Sequence, residues 1–137
     1  MTYALWVLQS LLAVLFLLVG GIKLIAPLDE ASAQMGVPGT LILMVGVAEV
    51  LGALGLVLPG LLKIRTGLTS LAALGLALIT LGATVLHIAQ GDVLVATFPL
   101  VIAGLSAFVA YGRWRLVPPV RPSKQRTLQP SRYAETH

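Results

Sequence analysis

Residues 40–58 read TLILMVGVAEVLGALGLVL, and the only ionisable side chain among them is Glu49. About 20 apolar residues in a helix cross a hydrocarbon core roughly 30 Å thick. The rival, a strand of a membrane barrel, is about 10 residues long and alternates in polarity; this stretch does not alternate. In lipid a helix pairs every backbone amide within its own segment. The stretch therefore reads as a membrane span, and its acid is the residue that needs a reason.

Upstream, residues 4–26 (ALWVLQSLLAVLFLLVGGIKLIA) make a first span that Pro27 ends. The opening MTYALW has no basic side chain, which argues against a cleaved signal peptide. The connector 28–39 (LDEASAQMGVPG) is expected to form a short helix on the membrane surface, broken by Gly36, Pro38 and Gly39. Downstream, Pro59 and Gly60 are expected to close the second span. Lys63 and Arg65 lie in the link to a third span at 67–89. Gln90-Gly91-Asp92 is a tight turn, with Gly91 suited to stopping one helix and Asp92 to capping the next. A fourth span covers 93–112. The expected fold is all-α: one four-span transmembrane helical bundle over residues 1–116, then a basic, proline-containing tail at 117–137 expected to be disordered.

Composition agrees. Of 137 residues, 58% are hydrophobic and 10% charged, with mean hydropathy +0.98. Soluble domains are about a quarter charged, and disordered chains are polar. The absence of cysteine excludes disulfides, thiol catalysis and cysteine-held clusters. Charge is segregated. Residues 1–112 set Lys23, Lys63 and Arg65 against Asp29, Glu30, Glu49 and Asp92, a net −1, whereas residues 113–137 carry +5. A nucleic-acid binder spreads cations over a folded face, so nucleic acid is not an expected partner; the lipid bilayer is. With four spans, the termini share a side with Lys63, Arg65, Arg113 and Arg115, and the acidic loops lie opposite. The positive-inside rule then places both termini in the cytoplasm and makes those four cations membrane-surface anchors. Tyr3, Trp6, Tyr111 and Trp114 fit an aromatic belt at the same interface.

Glu49 falls about 13 Å into its span at 1.5 Å per residue. A charge at that depth costs a few kcal/mol or more unless it faces other helices. Its i±3 and i±4 neighbours are Val45, Gly46, Gly52 and Ala53, mostly small, which suits a close helix seam. Lys23 and His87 stand near the outer ends of spans one and three. Side chains lean toward their own helix N-terminus, so all three converge on the outer half of the bundle. Thr80 and Thr84 share the His87 face, and Gln9, Ala13, Phe16, Gly20 and Lys23 share a face of span one. Lys23, Glu49, His87, Thr84 and Thr80 are therefore the candidates for a polar pocket or proton relay. Against that stand plainer roles: snorkelling for Lys23, a structural hydrogen bond between helices for Glu49, an interfacial or packed place for His87, and bonding back to their own helix for the threonines. No nucleotide loop, metalloprotease motif or catalytic triad is present, and no metal site is expected.

GGIKL (20–24), AEVLGALGLVLP (48–59) and FVAYGRWRL (108–116), in this order, resemble the DoxX-like family of small four-helix bacterial membrane proteins. The resemblance spans about residues 4–116. It implies a multi-pass protein of the inner (plasma) membrane. The family takes its name from a subunit of a thiosulfate:quinone oxidoreductase, and some members are associated with membrane redox assemblies. Lys23 and Glu49 occupy family-pattern positions, so a family role falls on them first.

Three functions fit. The first is a small redox-associated subunit that binds a quinone or similar lipid in a polar pocket, as accessory to an oxidoreductase. The second is a non-catalytic scaffold that docks a membrane or cytoplasmic redox enzyme subunit. The third is a small-solute or proton carrier, which with four spans requires a homo-oligomer.

Overall fold

A computed structural model describes residues 2–63 and 67–116. Five helices follow in order: α1 (Thr2–Ile25), α2 (Leu28–Met35), α3 (Gly39–Leu61), α4 (Gly67–Ala89) and α5 (Val93–Leu116). All except α2 are long and apolar enough to cross a membrane. At 1.5 Å per residue each of these is about 35 Å long, which exceeds the roughly 30 Å hydrocarbon core.

The chain is a multi-pass membrane protein turned inside out relative to a soluble bundle. Leu11, Leu18, Leu51, Leu71 and Val101 are exposed on its perimeter, while Gln9, Glu49, Ser106 and Arg113 are buried. The α1 face expected to pack inward does so: Gln9, Ala13, Phe16 and Gly20 are all buried. Leu12, Phe16, Leu56, Leu76 and Val109 form the apolar core.

The helices neighbour one another in the order α1, α3, α4, α5. Glycines set several of the contacts. A Cβ on Gly20 would lie 2.9 Å from the Gly46 carbonyl oxygen, so α1 and α3 touch backbone to backbone there. A Cβ on Gly52 would meet Leu76, and one on Gly55 would meet Ala72, which seats α3 on α4. Leu5 fills the notch at Gly112 between α1 and α5.

Two span boundaries differ from the sequence expectation. Pro59 and Gly60 do not close the second span: α3 runs on to Leu61 with Pro59 inside it. Proline adopts helical φ, but it withholds one backbone donor and crowds the carbonyl of Gly55, and the helix runs only two residues past it. Lys63, with φ 52°, then turns the chain out of the helix. The fourth span does not stop at residue 112; α5 continues one turn to Leu116. The connector forms the short helix α2, which ends at Gly36 in the left-handed conformation (φ 63°). Gly91 (φ 86°) makes the α4–α5 turn, and the Ala96 N–H donates to the Asp92 carbonyl at 2.9 Å. The tail at 117–137 lies outside the described residues.

Candidate functional site

α1 and α3 run antiparallel, and the Gly20–Gly46 approach fixes their register. Lys23 lies one turn beyond Gly20, and Glu49 one turn from Gly46. The Lys23 Nζ accordingly donates to both Glu49 oxygens, at 2.7 and 2.8 Å. Glu49 is 3% exposed, and the Lys23 side chain, at 19%, is the more accessible partner. This is the one ion pair among the described residues. Gly46 makes room for it, because a Cβ there would come within 3.0 Å of the Lys23 Cβ.

Beside the pair is a cavity of about 380 Å³ walled by α3, α4 and the end of α2. Met35, Val37, Ile42, Val45, Ile79 and Leu86 give it an apolar lining. Lys23 and His87 supply its polar groups. The His87 Nδ1 is buried and has no hydrogen-bond partner among the described residues. Gln90 donates from Nε2 to the Met35 carbonyl and ties the α4–α5 turn to the end of α2 above the cavity.

The structure brings Lys23, Glu49 and His87 to one end of the bundle, with the lysine bonded to the acid and the imidazole across the shared cavity. The threonine hydroxyls do not join them. Thr80 donates within α4 to the carbonyls of Leu76 (2.8 Å) and Ala77 (3.0 Å), and Thr84 donates to that of Thr80 (2.9 Å). Among the described residues no group of three or more His, Asp or Glu is placed to hold a metal ion.

At the opposite end lies a second polar cluster. Gln9 is fully buried and donates from Nε2 to the Leu56 carbonyl. The Arg113 Nε donates to the Gln9 Oε1 at 3.0 Å, and the guanidinium stands 5.3 Å from the centre of the Trp6 ring. Arg113 is only 9% exposed, and its Nη2 is buried without a partner among the described residues. Arg113 is thus packed against α1 rather than free at the bundle surface. The extra turn of α5 carries it against α1, where an amide acceptor and an aromatic face substitute for water. The signal was present in the sequence: Gln9 is the sole amide side chain in span one. Lys63 and Arg115 are exposed, as a surface anchor requires, and Arg65 lies outside the described residues.

Four antiparallel spans, a lysine at the end of the first and a glutamate in the second bonded across a glycine seam define the architecture. The model of the DoxX-like family matches residues 7–109. This chain belongs to the DoxX-like family. The match takes in the Lys23–Glu49 pair, Gln9 and the cavity beside His87, and stops before Arg113. No curated protein matches the chain, and no solved structure does.

Proposed function

We propose that this DoxX-like protein is a small redox-associated membrane subunit that binds a quinone or similar lipid in the cavity between Lys23 and His87. The observation carrying this reading is the pairing of apolar walls with polar groups of spare capacity. Two of the three ammonium hydrogens of Lys23 go to Glu49, which leaves one. The His87 imidazole lines the cavity, and its Nδ1 has no hydrogen-bond partner among the described residues. A ligand with an apolar body and a carbonyl or hydroxyl head can meet the remaining ammonium hydrogen of Lys23 and the edge of the His87 imidazole that lines the cavity. Because Glu49 already balances the Lys23 charge, a neutral head group suits the cavity better than an anionic one. The imidazole can donate or accept as its tautomer requires, which suits a head that alternates between carbonyl and hydroxyl.

Glu49 acts here by holding Lys23, and the threonines support α4. The segregated cations favour the inner (plasma) membrane orientation with both termini in the cytoplasm, so the cavity opens toward the far leaflet.

The test is titration of the purified protein in nanodiscs with a short-chain quinone, followed by intrinsic fluorescence or calorimetry. Saturable binding is expected, weakened about tenfold or more in His87→Leu and in Glu49→Gln, the worth of roughly one lost hydrogen bond to a charged or buried group. Unchanged affinity in both variants removes the site.

A further inference from the structure

We propose that the groove between α4 and α5, at the end of the bundle that carries Arg115, is a binding site for one anionic phospholipid. The lipid phosphate would lie against Arg115 and an acyl chain along the groove. The site is independent of the Lys23–His87 cavity, which lies at the opposite end of α4.

The groove encloses about 630 Å³. Leu71, Leu74 and Ala107 line its length, and Tyr111, Trp114 and Arg115 stand at its mouth. It exists because small residues replace the ridge that a leucine-rich helix would present. A Cβ built on Gly67 meets nothing within 4 Å, and Ser70, Ala107 and Ala110 are the other small residues in the lining. The three mouth residues recur at i, i+3 and i+4, so one face of the last turn of α5 presents a phenol, an indole and a guanidinium together. Tyrosine and tryptophan sit at the head-group level of a bilayer, which places Arg115 at the depth of the phosphates.

Charge selects the occupant. Arg115 is exposed and has no carboxylate partner among the described residues. Its guanidinium is steadied 5.5 Å from the centre of the Tyr111 ring, leaving its donor edge for an anion. Guanidinium and phosphate pair in a bidentate geometry. A zwitterionic lipid brings its own cation to that pair, whereas an anionic lipid leaves the phosphate charge for Arg115 to neutralise. The apolar floor takes a chain, which a free anion does not supply.

The experiment uses the full chain with Trp6→Phe, so that Trp114 is the sole tryptophan. It is reconstituted in phosphatidylcholine nanodiscs containing a fixed fraction of brominated phosphatidylglycerol or, in parallel, brominated phosphatidylcholine. Brominated chains quench an adjacent indole. Quenching is expected to report about fivefold enrichment of phosphatidylglycerol at Trp114, the ratio that roughly 1 kcal/mol per surface cation provides. Arg115→Gln should bring it down to the phosphatidylcholine level, with folding checked by circular dichroism. Equal quenching by the two lipids before that substitution overturns the proposal, as does a preference that survives it. Protection of Trp114 from both lipids, together with cross-linking of two chains at this face, assigns the groove to a second copy and also overturns it.

Discussion

Lys23 and Glu49 meet end-on across the α1–α3 seam, the ammonium held by both carboxylate oxygens at 2.7 and 2.8 Å. The two partners are unequal. Glu49 has little access to the surface, whereas Lys23 has a long aliphatic stem and a partly open position. Removing one member of a buried pair leaves an uncompensated charge and costs about 3–5 kcal/mol. Lys23→Met should incur that cost in full. Glu49→Gln should cost less, because Lys23 can swing its ammonium toward the head groups. The double variant should recover much of the loss. Reversible unfolding in mixed micelles measures all four corners of the cycle; additive single effects would show that the pair is not coupled.

Gly20 and Gly21 are adjacent and should respond in opposite ways. A methyl group on Gly20 would meet the Gly46 carbonyl, the Glu49 Cβ and the Val50 Cγ2 at 2.9–3.0 Å, while one on Gly21 meets nothing within 4 Å. Gly20→Ala should destabilise by about 1–3 kcal/mol through overpacking. Gly21→Ala should be neutral or stabilising by up to about 1 kcal/mol, since alanine is the better helix former. The same unfolding assay compares them, and equal effects would show that the helix approach is not set at Gly20.

Gln9 and Arg113 form the second coupled pair. Gln9→Leu removes the side-chain acceptor of a buried guanidinium and should cost about 1–3 kcal/mol. Trp6→Phe should cost less, about 0.5–1 kcal/mol, because phenylalanine keeps a weaker aromatic face under the cation. If Arg113 is instead solvated in the head-group layer, Gln9→Leu will leave unfolding unchanged.

The cavity lining allows binding to be separated from stability. Gly82 lines the cavity, and a Cβ there meets no other atom within 4 Å. Gly82→Leu should therefore fill space without unfolding the chain. Quinone titration should show affinity lowered by about tenfold or more, the ordinary result of blocking one anchoring contact. An unchanged melting temperature with unchanged affinity would place the ligand elsewhere.

Gln90 ties α2 to the α4–α5 turn through the Met35 carbonyl. Gln90→Ala should loosen this cover locally by about 0.5–1.5 kcal/mol. Hydrogen exchange over residues 28–37 should rise while the spans keep their protection. Uniform protection in both proteins would show that α2 is held by packing alone.

How far the sequence could be read follows from what each feature depends on. The third span was legible to the residue, because Gly67 and Gln90-Gly91 bracket an unbroken apolar run. The second and fourth were cut short. Pro59 and Gly60 suggest an end by residue type, and the apolar run stops at Gly112, whereas α3 runs to Leu61 and α5 to Leu116. The Lys23–Glu49–His87 end of the bundle was legible from depth and the lean of side chains. Thr80 and Thr84 have the depth and face that the argument required, yet their hydroxyls close on α4 itself.

Hydrophobic length and the cost of an unpaired amide in lipid act on each segment separately, so the sequence by itself determined four membrane-spanning helices and their order. Which polar groups meet is a property of pairs of helices. It depends on register and rotation to within one residue, and these follow from where backbones can touch. Only the tertiary structure decided that contact at Gly20 and Gly46 delivers an ammonium onto Glu49. The same is true at the other end, where Leu5 seated on Gly112 leaves Arg113 facing Gln9.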